Sequence, residues 1–350
     1  MKEFILYGMG NDNRRERCTQ MINTPPLIGR ILYECDANPK MWSDELKIYP
    51  PEKILENQEA TVVIGCFPIK QVVENLRNIG CKNEFMVYPL FGAYFYIDDM
   101  PKDIFKITKI VNDWIETNKD ELLSIYDLND EETKILLTEM IAERSMEKLN
   151  LIPLERMINF KWQPYFADEK IVPLKDITLI DGGAFTGDSI EMVHNRFKNH
   201  LKKIYAFEPN EDNRNKMIKN LNELKLNDIT KIIPCGMYDK DTELHFTEQS
   251  SGSKFVEDGE IKVRVKPIDS VVTEVEGSLL IKMDIEGSEL AALRGAKSTI
   301  KKYNPYMAIC TYHRMADILE IPKYIKNICD NYKFYLRAGF HTECYAIPKT

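Results

Sequence analysis

Two carboxylates frame a glycine-rich stretch near the middle of the chain. Asp181 opens the run Asp181-Gly182-Gly183-Ala184-Phe185-Thr186-Gly187-Asp188, and Glu208 follows 21 residues after Gly187. Each acid ends an apolar run, Ile177 to Ile180 for the first and Ile204 to Phe207 for the second. Strand, glycine turn and helix, with an acid on the next strand, is the nucleotide-binding start of a doubly wound sheet. The glycines let the backbone turn sharply and let a ligand come close. In a dinucleotide site such a turn faces a pyrophosphate at the helix N-terminus. Asp181 would repel two phosphates there and would attract a cation instead.

S-adenosylmethionine satisfies that electrostatic demand, since it carries an ammonium and a sulfonium and no phosphate. Glu208 stands where an acid holds ribose hydroxyls. A glycine turn with a capping acid and no ligand is the other reading of the stretch alone; the register of Glu208 favours the ligand. The candidate cofactor contacts are Asp181, Gly182, Gly183, Ala184, Gly187 and Glu208, with Asp239 and Asp284 after later strands.

Methyl transfer from a sulfonium is an in-line displacement, and holding the acceptor about 3 Å from the methyl group is largely an orientation effect. A sugar hydroxyl has a high pKa, so a base in contact with it helps. Two candidates emerge at strand ends, the edge that faces the site in such sheets. Asp284 ends Leu279-Leu280-Ile281-Lys282-Met283, and His313 follows the strand Tyr306 to Thr311. Histidine titrates near neutral pH and suits proton abstraction. His313 also reads as a solvent-facing or hydrogen-bonded structural residue. A divalent cation on Asp284 and Glu286 is a further candidate, although two carboxylates fall short of the oxygens a hard ion wants.

A second glycine turn lies at the start of the chain. Phe4 to Tyr7 reads as a strand, followed by Gly8-Met9-Gly10 and then Arg14 and Arg15. No acid precedes these glycines, and Asp36 ends the next strand, Ile31 to Asp36. Gly8, Gly10, Arg14 and Asp36 are therefore candidates for a second nucleotide site that would accept a phosphate. A scaffold whose ligand site has decayed is the other reading. NAD-dependent oxidoreduction could use this turn, but no tyrosine–lysine or cysteine–histidine arrangement accompanies it.

The elements that must position these residues fall into three parts. Residues 1–95 read as a small Rossmann-like α/β domain with strands at 4–7, 31–36, 61–66 and 85–88. Residues 96–170 read as a helical connector, with a helical period over Ile104 to Leu123 and another over Glu131 to Leu149, capped near Asn129-Asp130. Residues 171–350 alternate strand and helix. Leu290 to Ile300 and Ile318 to Tyr332 read as helices, Glu243 to Phe246 as an edge strand and Glu248 to Glu260 as a polar loop. Lys333 to Arg337 and Glu343 to Ile347 read as a closing antiparallel hairpin around His341.

Composition bounds the rest. The chain has 350 residues, 44% of them hydrophobic, with a formal charge of −8. That supports a real core and argues against nonspecific nucleic-acid binding, which needs a basic face. Eight cysteines are scattered without a CxxC pair. They read as reduced buried thiols of a cytoplasmic protein. No apolar stretch is long enough for a transmembrane helix, and the N-terminus does not read as a signal peptide. A homo-oligomer is compatible with the sequence.

The segments LIDGGAFTGDS, YAFEPN, LLIKMDIEGSELAALRGA and KFYLRAGFHTECYAIP resemble the FkbM-type S-adenosylmethionine-dependent methyltransferases over residues 170–350. The first part loosely resembles small nucleotide-binding-like domains found beside sugar-modifying enzymes. The FkbM resemblance implies a seven-stranded class I methyltransferase fold, with Asp181, Gly183 and Glu208 on the cofactor and Asp284 at the mouth of the site. The family's members are mostly O-methyltransferases, often acting on sugars. Phe185 departs from the family's DVGAN, where a small polar residue is usual. The expected activity is methylation of a hydroxyl on a saccharide, nucleotide-sugar or related small-molecule or glycan acceptor. The alternative is a non-catalytic nucleotide- or S-adenosylmethionine-binding module associated with polysaccharide biosynthesis.

Overall fold

A computed structural model describes residues 1–10, 12–25, 27–66, 69–88, 104–144, 152–154, 165–172, 176–249, 252–255, 261–338 and 342–349. The chain divides into two compact units, residues 1–119 with 138–161, and residues 120–137 with 162–350. Segments 120–137 and 138–161, both inside the stretch read as a connector, thus group with different units. Residues 162–164, 173 and 341, and the last five residues of the expected second connector helix, lie outside the described residues.

The first unit is built on β1 (Lys2–Tyr7), β2 (Gly29–Cys35), β3 (Ile48–Tyr49), β4 (Thr61–Ile64), β5 (Phe85–Val87) and β6 (Ile152–Pro153). Their order in the sheet is β3-β2-β1-β4-β5-β6, parallel except for β6. The chain runs outward from β1 in one direction, then returns past it to β4. That reversal makes the carboxyl ends of β1 and β4 a topological switch point. Helices α1 (Asp12–Ile22) and α2 (Ile69–Asn78) belong to this unit. Its core joins Ile5, Tyr7, Val62, Ile64, Leu76, Phe85 and Val87. The short edge strands β3 and β6 carry no alternating run, so local pattern does not announce them.

Helix α3 spans Ile104–Ile125 and α4 spans Glu131–Arg144. Asp130 caps α4, accepting from the Thr133 backbone N–H at 2.9 Å, as Asp at that position should.

The second unit holds β7 (Ile177–Gly182), α5 (Asp188–Phe197), β8 (Leu201–Phe207), α6 (Glu211–Leu224) and β9 (Thr230–Ile233). After β10 (Gly236–Met237) come β11 (Thr242–Gln249), β12 (Gly252–Phe255), β13 (Ile261–Lys266) and the short α7 (Ile268–Val271). Then follow β14 (Ser278–Met283), α8 (Glu289–Arg294), α9 (Lys297–Tyr303), β15 (Tyr306–Cys310), α10 (Asp317–Ile328), β16 (Tyr332–Ala338) and β17 (Thr342–Pro348). Seven strands form one sheet in the order β16-β17-β15-β14-β7-β8-β9. The five from β15 to β9 are parallel, and β16 and β17 close the sheet as an antiparallel hairpin. All six residues of β7 are buried, as a central strand covered on both faces requires. The turns after β7 and β14 meet where the chain reverses, at a second switch point.

Four expectations change. The polar loop 248–260 begins as a hairpin, in which Phe246 to Gln249 pair with Phe255 to Gly252. Strand β11 lies between β13 and β12 and is not an edge. The single helix 290–300 is two short ones, α8 and α9, broken at Gly295. A Cβ there would sit 2.0 Å from the Tyr238 carbonyl oxygen, so backbone packs directly on backbone. Tyr332 belongs to β16, because α10 ends at Ile328.

All eight cysteines are free thiols. Among the described residues no helix is long and apolar enough to cross a membrane.

Candidate active site

The turn after β7 is shaped by close backbone approach. Gly183 has φ +68°, and a Cβ on it would lie 2.0 Å from the carbonyl oxygen of Asp284. Gly187 has φ +86° and precedes α5. Phe185, where the sequence departs from the family pattern, takes φ +46° and is exposed. Its backbone N–H donates to Glu208 Oε2 at 2.9 Å. Glu208 Oε1 accepts from the Asn210 N–H at 2.9 Å. The carboxylate is thus fixed at the end of β8 beside the glycine turn, and burial pushes its pKa up. The structure brings Gly182, Gly183, Ala184, Gly187 and Glu208 to one edge of the sheet. Ala184 is fully buried, while Asp239 is exposed two residues beyond β10.

Asp181 is fully buried, with Lys282 Nζ 3.1 Å from Oδ1 and the Ser189 hydroxyl donating to Oδ2 at 2.5 Å. Lys282 also donates to the carbonyls of Gly182 and Gly183, at 3.1 and 2.8 Å. Burial opposes its charge, but Asp181 and Asp284 overcome that and hold its pKa above the usual lysine value. The cation nearest Asp181 is thus the chain's own Lys282, at the head of the glycine turn.

Asp284 follows β14 and is half-buried. Tyr312 OH donates to Oδ1 at 2.8 Å and Tyr165 OH to Oδ2 at 3.3 Å. Tyr165 comes from a segment tied to the sheet through Asp168, whose Oδ2 pairs with Arg337 Nε at 2.5 Å. Its ring also lies under Lys282, 5.3 Å from Nζ.

His313 is buried against Tyr312, ring centroids 3.9 Å apart. Its Nδ1 lies 2.9 Å from Glu289 Oε1; its Nε2 lies 3.5 Å from both Asp284 Oδ1 and Glu286 Oε2. Burial lowers its pKa, but Glu289, Asp284 and Glu286 together push it up to about 9. Two other buried acids lie nearby. Burial and Glu289 push Asp317 up to about 7, and burial and Asp284 push Glu343 up to about 8.

Asp284, Glu289 and His313 each offer a ligand atom, all within 4.8 Å of one another. Glu289 is the carboxylate nearest Nδ1 and Asp284 one of the two nearest Nε2. Glu286, half of the expected cation pair, is 44% exposed and takes φ +55° beside Gly287.

In the first unit, Gly8 and Gly10 take φ +64° and +75° at the end of β1. Asp36 stands just beyond β2. The Gly8 N–H donates to the Cys35 carbonyl and the Met9 N–H to Glu34 Oε1. Arg15 pairs with Glu34 at 2.6 Å. Two donors of that turn and one of its arginines are thus engaged internally. Arg14 Nη1 lies 3.9 Å from the place a Gly10 Cβ would take.

Sequence reasoning missed Lys282, Glu289 and Tyr165. The signal for Lys282 was a lysine inside an apolar central strand. For Glu289 it was an acid opening a helix. Tyr165 gave none, since nothing local marks a tyrosine in an irregular segment.

The seven-stranded sheet and its glycine turn define a class I methyltransferase fold. Residues 181–336, within the second unit, match the family model described as methyltransferase FkbM domain. A crystal structure of a methyltransferase FkbM from Methylobacillus flagellatus is similar at TM-score 0.62 and 18% identity, over 99% of this chain and 90% of that one. Two other similar structures cover half of this chain. An rRNA methylase from Streptococcus thermophilus has TM-score 0.34 and 14% identity, over 52% of this chain and 92% of that one. A Streptococcus mutans methyltransferase solved with S-adenosylhomocysteine has TM-score 0.32 and 15% identity, over 51% and 93%. No curated protein matches the sequence.

Proposed function

We propose that the second unit transfers a methyl group from S-adenosylmethionine to a hydroxyl of a saccharide, nucleotide-sugar or related metabolite. The residues present fit that cofactor in one respect and not in another. The turn has no room for a side chain at Gly183 and takes a positive φ at Gly187, and Glu208 is fixed beside it, as a ribose contact requires. Asp181 is unavailable, so cofactor contacts fall to the turn backbone, Glu208 and the exposed Asp239. S-adenosylmethionine supplies a methyl group already activated by its sulfonium.

The carrying observation is His313, held at the carboxyl edge of the sheet with Nε2 beside Asp284. In its neutral form it takes the hydroxyl proton at Nε2 as the acceptor oxygen gains the methyl group. The imidazolium then formed is stabilised by Glu289, Asp284 and Glu286. Tyr165 and Tyr312 hold Asp284 in place, and burial of the ring keeps water from competing for the proton.

Calorimetry with S-adenosylmethionine, S-adenosylhomocysteine and NAD tests the cofactor, and labelled methyl donor with a set of sugar nucleotides tests the acceptor class. Binding of NAD alone overturns the reading. Tight S-adenosylmethionine binding with no transfer to any hydroxyl acceptor favours the binding-module alternative.

A second reading concerns the first unit by itself. Its switch point gathers Gly8, Gly10 and Asp36, which favours a phosphate-bearing ligand such as a nucleotide-sugar.

A further inference from the structure

We propose that Glu289 is the positioning residue of His313: it fixes the proton on Nδ1 and so leaves Nε2, beside Asp284, as the nitrogen that takes the proton. This rests on the reading of His313 as the base.

Glu289 is the first residue of α8 and is fully buried. A buried carboxylate needs partners, and here one oxygen has a backbone donor and the His313 ring beside it, while Oε2 has no hydrogen-bond partner among the described residues. Oε1 accepts from the Ile285 backbone N–H at 2.9 Å and lies 2.9 Å from His313 Nδ1. The backbone bond ties the carboxylate to the turn after β14, the turn that carries Asp284. Glu289 thereby sets the ring relative to Asp284, not merely relative to its own helix. A carboxylate on one nitrogen of an imidazole selects the tautomer with the proton there and leaves the other nitrogen as the acceptor. Here that leaves Nε2 facing Asp284 and Glu286, each 3.5 Å away. Among the described residues, the groups around the ring include Glu289 on α8, Asp284 and Glu286 after β14, Tyr312 stacked beside it, and Asp317 at the start of α10. Asp317 lies 3.8 Å from Arg314 and feels the charge of Glu289. Of these, only Glu289 lies on Nδ1.

The test is nitrogen NMR of the full chain with labelled histidine, which needs no acceptor. The chain has five histidines, and His313→Asn assigns the signal. In the wild type, neutral His313 is expected to carry its proton on Nδ1. Glu289→Gln is expected to lower its titration by about one unit or more, as loss of an adjacent charge does, and Glu289→Asp to restore it. A glutamate that does not act on the ring would leave that titration in place. A wild-type proton on Nε2, or an unmoved titration in Glu289→Gln, overturns the proposal. The wild-type tautomer decides the matter even if the glutamine variant does not fold. His313→Ala with undiminished transfer overturns the base reading instead, and the NMR result distinguishes that failure from this one.

Discussion

Asp181 and Lys282 are register partners on the adjacent parallel strands β7 and β14, and their side chains meet at 3.1 Å with almost no exposure. The carboxylate that heads the glycine turn is thus neutralised from the neighbouring strand. Lys282 bridges to the carbonyls of Gly182 and Gly183 and holds the turn open. Removing one partner of a buried pair leaves an uncompensated charge and costs about 3–5 kcal/mol. Asp181→Ala and Lys282→Met are each expected to lose stability on that scale in urea. Asp181→Leu with Lys282→Met should recover most of it, as apolar replacement of a whole pair does. Additive losses in the double variant would refute the pairing.

Glu208 gives the cleaner probe of the cofactor, because its carboxylate lies at the turn and is not neutralised by a lysine. Glu208→Ala should weaken S-adenosylmethionine binding at least tenfold, about 1.4 kcal/mol. Unchanged affinity in calorimetry, with the fold intact by circular dichroism, would remove Glu208 from the site.

What was legible in the sequence is what is local. The apolar run before Asp181, the glycine turn and the register of Glu208 are contiguous patterns, and they named one edge of the sheet correctly. The strand ending in Asp284 was equally plain. What was not legible depends on pairing across distance. Lys282 changes the meaning of Asp181 only because β14 lies beside β7, its register partner 101 residues away. Tyr165 reaches Asp284 across 119 residues. Strand β6 pairs with β5 through two residues, too short for any period to show. The hairpin of β11 and β12 hid in a polar stretch because Gln249 and Ser253 lack the alternation that marks a strand.

Glu343, on β17, offers a test of the buried acids. Burial and Asp284 raise its folded pKa to about 8, above the ordinary glutamate value of about 4.3. A raised acid favours the folded state most below its unfolded value, and that contribution is lost as pH rises to about 8. Glu343→Gln should therefore leave stability at pH 4 near wild type and increase it at pH 8 and above. Thermal melts across that range check it; an equal effect at both ends would mean the carboxyl is not the titrating group.

The first unit is tested through its own ligand. If the switch point at Gly8 and Gly10 holds a phosphate-bearing molecule, a UDP- or GDP-sugar, NAD or coenzyme A at a hundredfold over its dissociation constant should stabilise the protein by about 2.7 kcal/mol. Asp36→Ala should abolish the shift. No stabilisation by any of these would make the unit a scaffold.

The pH dependence of the rate follows from His313 and runs against that of stability. Its folded pKa is pushed up to about 9, above the unfolded value of about 6.5. A raised histidine contributes stability that is full below about 6.5 and is lost as pH rises through about 9, when the ring gives up its proton. Proton abstraction needs the neutral ring, so turnover should rise over the same window and level off above it. Activity and stability should thus cross, one rising and the other falling between about pH 6.5 and 9. General-base help amounts to roughly 100- to 10,000-fold. His313→Ala should therefore cut turnover by that order, flatten the pH profile and leave S-adenosylmethionine affinity near wild type. A loss below about fivefold, well short of that range, would shift the role to Asp284. A rate in the wild type that falls with EDTA and returns with manganese would instead place a cation beside Asp284 and Glu286, where Nε2 of His313 now stands 3.5 Å from each.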